Sequence, residues 1–534
     1  MTFCKTHNMQ WTEDDIIHQE HSEKYPECKD FKDEEQLQQL PKKKQQSEKV
    51  KKEKKVKGKL GNLFVESAWV DSRPAFLCID LKTGEISSQN SILYDGITYI
   101  PPQKETEIPY VKYSFTSEEI QQLSEEKISK EQILDEIAKV VDHFVVNYSV
   151  AQTLTTVDIL LTYCMDWIDL VHFPYYVGDT GSGKTSNARL FEKIGYRPMY
   201  SESVTTANIY QYLGETEEGQ GIIIEDEAQD LNQDREKIKI YKNGYARGSK
   251  IPRITNGDSA RIQKFYFTFG CKIFSGEKTP NDKGLLERLV IVKMIEGIPK
   301  GNIKKPTTEE KEQLTQLRKK LLCWKLQTQM TGLTGQVETD LVNRDKELWE
   351  DFLRVASETK FYESAQKVVK HFVKQRHENI ENSLEAKLFH CIVYRLDENM
   401  EISIMELWKW LQSPDNSILT GKENGAQSMI LDEFQEVLSI HAITSLISDK
   451  FLGKRLVKTT KGGDDKYHDK TFYRFDAETS MKLVTKYGIR IADHEHPIYK
   501  SLDSLKSQNN DTFDTSDSLY EHVKAYDSHK EQRK

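Results

Sequence analysis

The chain has 534 residues, enough for about three or four domains. Its 76 Lys+Arg and 85 Asp+Glu give a formal net charge of −9, and with 30% charged and 37% hydrophobic residues it is polar and acidic on average. That average excludes a uniformly basic protein, and no membrane span is expected, because the most apolar stretch (157–173) is broken by Asp158, Asp166 and Asp169.

Glu13, Asp14 and Asp15 stand where a signal peptide needs an apolar core, and the seven cysteines are scattered singly. The reading is a reduced, cytoplasmic chain without a disulfide framework. Charge is segregated. Residues 1–40 hold 4 Lys and 10 Asp+Glu, a net of −6, and residues 41–60 hold 10 Lys and 2 Glu, a net of +8. Few aliphatics and blocks of like charge predict a disordered charged tail over 1–60. Short strand-like runs (63–65, 75–79, 97–100) separated by Gly and Asp predict a small β module over 61–115. Capping boxes at Thr116–Glu119 and Ser129–Gln132 open a helical segment, 116–172.

Residues 173–296 alternate strands and helices, the pattern of an α/β fold with a parallel sheet. Phe173–Val177 reads as a buried strand. Gly178, Asp179, Thr180, Gly181, Ser182, Gly183, Lys184, Thr185 and Ser186 follow it and match GxxxxGK[ST]. Glycines let backbone N–H groups turn around phosphate oxygens. Lys184 is expected to bridge the β- and γ-phosphates of ATP, and Thr185 to ligate Mg²⁺ and open a helix whose N-terminus favours anions. Further on, Ile222-Ile223-Ile224 reads as a strand buried on both faces and ends in Glu225-Asp226-Glu227. An acid at that end of a parallel strand lies beside the phosphate loop. Asp226 is expected to hold Mg²⁺ through water and Glu227 to polarise the attacking water, which separates a hydrolase from a small-molecule kinase. A third strand, Lys272–Ser275, ends in a polar side chain placed to sense the γ-phosphate. Arg288 precedes a fourth buried strand and is a candidate to reach a neighbouring subunit's ATP, with a surface ion pair as its bland alternative.

These motifs together, Gly178–Thr185, Ile222–Glu227, Ser275 and Leu285–Arg288, resemble an AAA+ ATPase core. The layout is similar to the helicase branch: superfamily 3 helicases, phage-type primase–helicases and minichromosome maintenance helicases. The segment Ile194–Arg253 is similar to archaeal and archaeal-virus ATPases of this type. The resemblance covers about residues 120–295. It implies a homo-oligomeric ring, a hexamer, with ATP between subunits and the arginine supplied in trans. Ser275 departs from the family, whose sensor position carries Asn or Thr. The resemblance also implies a β-hairpin that points into the ring and grips nucleic-acid backbone, here over 247–264. Asn256-Gly257 fits its turn, and Lys250, Arg253 and Lys264 are candidate phosphate contacts.

Helical segments over 297–379 form a lid or linker. In residues 380–490, Ser403–Glu406 caps one helix, a second follows, and two strands flank Gly462–Asp465. Helix, helix and hairpin is the layout of a winged helix. Lys450, Lys454, Arg455, Lys458 and Lys461 are its candidate nucleic-acid contacts. Residues 491–534 read as a second disordered tail. The leading expectation is therefore an ATP-driven AAA+ motor acting on single-stranded or forked DNA, a helicase-like replication protein of a mobile element, virus or archaeal-type genome. The rivals are an ATP-dependent DNA-binding regulator or assembly switch without unwinding, and a protein-remodelling machine. Residues 1–115 carry no primase signature, so a separate primase is a candidate partner.

Overall fold

A computed structural model describes residues 2–4, 9–11, 31–33, 51–104, 113–214, 217–256, 261–412, 439–461 and 467–508. Three short strands, β1 (Thr2–Cys4), β2 (Met9–Trp11) and β3 (Phe31–Asp33), pair as an antiparallel sheet. The first large element is a hairpin of β6 (Leu63–Val70) and β7 (Arg73–Asp80). Its turn residues Asp71 and Ser72 have φ of +46° and +64°. Such left-handed two-residue turns match the twist of the flanking strands.

The segment expected to end a disordered tail at residue 60 is instead paired from residue 51. Strand β4 (Lys51–Lys54) runs parallel to β10 (Ile97–Ile100), which also pairs β9 (Ile92–Tyr94), and β5 (Lys57–Leu60) runs antiparallel to β6. Charge density predicted solvation here, but Val56 and Leu60 are buried and the lysines meet carboxylates from distant segments. Lys57 lies 2.5 Å from Asp166, and Lys55 pairs with Glu217. Strands β8 (Ile86–Gln89) and β11 (Ser114–Phe115) complete this module.

Helices α1 (Ser117–Glu125) and α2 (Lys130–Phe144) start at the two capping boxes, both of which are formed. Helix α3 (Ser149–Tyr163) is buried almost all round. The central sheet is wholly parallel, in the order β13 (Pro198–Ser201), β14 (Ile222–Glu225), β17 (Lys272–Gly276), β12 (Phe173–Val177), β18 (Leu289–Lys293). Helices α4 (Lys184–Ile194), α5 (Thr206–Gly214), α6 (Arg235–Asn243) and the short α7 (Lys283–Leu286) fall among these strands in the chain. A two-stranded hairpin, β15 (Lys250–Asn256) with β16 (Arg261–Phe267), lies between β14 and β17 in sequence. Helices α8 (Thr308–Thr328), α9 (Asn343–Ala356) and α10 (Tyr362–Glu381) pack into the same core, which runs without interruption from Phe64 to Phe372.

Buried charge ties the β module to this core. Glu66 is fully buried and accepts from Tyr196 Oη and from Arg197 and Lys325, at 2.8–2.9 Å. Asp166 receives Lys57 and Lys325. Burial alone would raise the Glu66 carboxyl, but Lys325, Arg197 and Lys57 outweigh it and hold the group below the usual carboxylate range.

A second core begins at Ala386. It contains α11 (Leu384–Val393), α12 (Ile404–Leu411), α13 (Ile440–Asp449), α14 (Ala477–Lys486) and the antiparallel sheet β19 (Glu401–Ser403), β21 (Tyr467–Arg474), β20 (Lys454–Lys461). The tail expected from residue 491 also carries structure. Helix α15 (Pro497–Gln508) buries Ile498 in this core, and His496 Nε2 donates to the Val393 carbonyl at 2.9 Å. Residues 509–534, like most of 1–50, lie outside the described residues. No helix among the described residues is long and apolar enough to cross a membrane.

Candidate functional site

Because all five central strands are parallel, their C-terminal ends share one edge, where ligand sites of such sheets form. Gly178 leaves β12 at that edge and Lys184 opens α4. Gly181 and Gly183 have φ of +89° and +87°, a conformation that a side chain would strain. Lys184 Nζ is folded over the loop, 3.3 Å from the Asp179 carbonyl and 3.8 Å from Glu277. Thr180 donates to Glu277 at 2.9 Å. Ser186 bonds back to the Gly183 carbonyl in the first turn of α4. The Ser182 hydroxyl is buried without a partner among the described residues, an orphaned polar group within the phosphate-type loop.

Strand β14 brings the acids to the same edge, and they divide sharply. Glu225 points back into the protein, where Lys237 and Tyr241 donate to it at 2.7 and 2.6 Å. Burial raises its carboxyl despite those two donors. Asp226 is buried and turned toward the loop. Thr185 Oγ1 lies 3.4 Å from Asp226 Oδ1, and the Ser275 hydroxyl donates to that same oxygen. Glu227 is exposed with φ +57°, a left-handed backbone for a non-glycine residue. Such a conformation costs about 1–3 kcal/mol and is concentrated at functional sites. Thr185 and Asp226 are hard oxygen donors suited to Mg²⁺, and the loop fits the phosphates of a nucleotide.

Two side chains at this edge carry no motif. Tyr200, on β13, donates to Asp226 Oδ2 at 2.7 Å. The Arg189 guanidinium lies 3.7 Å from the centroid of the Tyr200 ring. Parallel pairing of Tyr200 with Ile224 makes this meeting, 26 residues apart in the chain.

Arg288 is not brought to the loop. Its carbonyl accepts from Phe173 N at 2.9 Å, so it stands where β12 begins, at the opposite end from Gly178. Its guanidinium lies 4.4 Å from the Tyr245 ring centroid and donates to the Gly284 carbonyl.

The three hairpin cations do not share a face. Arg253 opposes Lys264, and Lys250 opposes Phe267 three positions away, on the other face. Arg253 donates to Tyr210 Oη at 2.7 Å and is paired with Glu236. Lys264 is exposed, and Lys250 lies 4.5 Å from the Phe267 ring centroid. The face with Lys250 also exposes Ile254 (69%) and Phe265 (59%), an apolar surface that a charge-based reading passed over. The expected Asn256-Gly257 turn lies outside the described side chains.

In the C-terminal unit, Lys450, Lys454 and Arg455 are exposed, whereas Lys458 pairs with the buried Glu401. The Lys461 side chain lies outside the described residues.

No protein-family model matches the sequence. No curated protein matches it. Among solved structures, the C-terminal region of NrS-1 is 14% identical, over 77% of this chain and 96% of that one, with a TM-score of 0.29. A full-length MCM homologue from Methanopyrus kandleri is 10% identical, over 59% of this chain and 78% of its own, with a TM-score of 0.29. An inhibitor-bound JCV helicase is 17% identical, over 37% of this chain and 54% of its own, with a TM-score of 0.22. TM-scores this low do not define a common fold, and the functional reading rests on the geometry of the site itself.

Proposed function

We propose that the chain is an ATP-hydrolysing motor of the AAA+ type acting on DNA, helicase-like and working as a homo-oligomeric ring. The observation that carries the reading is the joining of Thr185 to Asp226 beside the phosphate loop, with Glu227 exposed next to them. ATP and Mg²⁺ are the ligands of this reading. Lys184 holds the β- and γ-phosphates, Thr185 and Asp226 the metal, and Glu227 orients the attacking water. Ser275 acts through Asp226, to which it is bonded, in place of a sensor amide. Arg288 stands at the far end of the sheet, so in this reading it serves the nucleotide of a neighbouring subunit in the ring and not that of its own chain. A hexamer fits this reading, as does a winged-helix assignment for the C-terminal unit, with two helices, a hairpin and a third strand. The hairpin contributes Lys250 and the exposed Phe265, which share one face, to the nucleic-acid path.

ATP hydrolysis measured with and without single-stranded DNA, alongside the mass of the assembly and unwinding of a forked duplex, tests this. Hydrolysis should be stimulated by DNA, and both activities should be lost in Lys184→Ala and Glu227→Gln, with nucleotide binding retained in the latter. Hydrolysis indifferent to any DNA would end the motor reading.

A further inference from the structure

We propose that the C-terminal unit takes up nucleic-acid backbone on one face of its three-stranded sheet, through Lys454, Lys458, Lys470 and Arg474, and not through the helix that precedes the hairpin. This rests on the reading of the chain as nucleic-acid-acting and says where the C-terminal unit makes its contact. In the ladder, Lys454 stands directly opposite Arg474, and Lys458 directly opposite Lys470. Opposed residues point to the same face, and a spacing of four along β20 keeps both pairs on it. Like charges placed directly opposite destabilise a sheet. Two such pairs on one face oppose folding, and the positive charge that the protein's own carboxylates leave over is relieved when an anion binds there.

The face is organised rather than merely charged. Leu456 opposite Phe472 separates the two pairs, and both are half-buried. The one carboxylate on this face among the described residues is Glu401, on β19 and opposite Arg474. It is buried and accepts from Arg474 Nε at 2.9 Å and from Lys458. Glu401 therefore fixes two cations side by side and neutralises only one charge. Four cations against one carboxylate leave a surplus of three positive charges. Lys454 and Lys470 are exposed and have no partner among the described residues. Lys458 Nζ also lies 5.3 Å from the Phe472 ring centroid, so its stem is held as well.

Helix α13 offers the contrast. Its sequence, IHAITSLISD, contains no Lys or Arg and ends in Asp449. Arg455 opposes the buried Tyr473 and so belongs to the other face. A repeating phosphate chain is the anion that matches several fixed cations on an extended surface, and its binding releases counterions in proportion to the contacts made.

The test is fluorescence anisotropy of the full chain with labelled duplex and single-stranded oligonucleotides over a range of salt. Lys454→Ala combined with Lys470→Ala is the informative variant, since Lys458 and Arg474 must stay to avoid leaving Glu401 buried and unpaired. The plot of log affinity against log salt should become shallower by about two, equally for unrelated sequences. Lys450→Ala combined with Arg455→Ala should leave the slope unchanged. The proposal is overturned if the first variant keeps the wild-type slope, as it would were the face a dock for an acidic protein, or if the second loses it. A wild-type chain that binds no oligonucleotide overturns the broader DNA-acting reading as well, whereas binding without hydrolysis overturns only the motor. Comparison of the duplex and single-strand arms shows which form of backbone the face accepts.

Discussion

Asp226 accepts three hydroxyl donors, and they are distributed unequally between its oxygens. Thr185 and Ser275 approach Oδ1, and Tyr200 alone among the described residues holds Oδ2. Tyr200 is therefore a positioning residue for the carboxylate. Loss of its hydroxyl in Tyr200→Phe removes about 1 kcal/mol of hydrogen bonding, or roughly a fivefold effect on the carboxylate's hold on metal. The Mg²⁺ concentration for half-maximal ATP hydrolysis should rise by about that factor, with the melting temperature nearly unchanged. An unaltered Mg²⁺ requirement with lowered stability would make Tyr200 merely structural. The loop and the three acids were legible from local spacing. Tyr200 was not, because only the parallel pairing of β13 with β14 brings it to Asp226.

At the scale of elements, strand β12 is fixed at its start as firmly as its end is shaped into the loop. His172, just before it, is fully buried and donates Nε2–H to Asp158 on α3 at 2.9 Å and Nδ1–H to the Leu348 carbonyl on α9 at 3.0 Å. A neutral imidazole has one N–H, so two acceptors favour the cation. Burial opposes that charge, but Asp158 and the carbonyl outweigh it and raise the imidazole above its ordinary value. A raised histidine contributes stability that is fully present below its unfolded pKa and is lost as pH rises through the folded one. His172→Gln should therefore lower the melting temperature most near pH 6, by an amount corresponding to about 1–3 kcal/mol, and progressively less at alkaline pH. Thermal melts of both proteins across that range decide it, and a gap independent of pH would refute the assignment. The hairpin β15–β16 teaches a complementary point. The hairpin was expected from the resemblance and from Asn256-Gly257, but the partition of Arg253 and Lys250 between faces follows from register, which a turn signal alone does not give.

Across the whole molecule, the β module and the parallel-sheet core are one hydrophobic body joined by buried charge. Glu66 on β6 holds Arg197, the residue before β13, and Lys325 from α8, and Asp166 adds Lys57 from β5. Removing one partner of a buried ionic set leaves the others uncompensated, at about 3–5 kcal/mol. Glu66→Ala should lower stability by that order, and hydrogen exchange should quicken in β5–β7 and in the last turns of α8, around Lys325, together. Loss of protection confined to β6 would show that the module is not coupled through this network. The lysine-rich run before residue 60 was read as solvated because its counter-charges, Asp166 and Glu217, lie more than a hundred residues away.

The sequence by itself determined the parallel α/β core, the phosphate loop, the acids beside it and the helix starts at Thr116 and Ser129, because each depends on neighbours within a few residues. Only the tertiary structure decided which of Glu225, Asp226 and Glu227 faces the loop, where Tyr200 and Arg288 stand, which cations on each hairpin share a face, and that the lysine-rich residues 51–60 form paired strands. Those outcomes depend on strand register and on charges paired across long stretches of chain, and neither is written in local spacing or average composition.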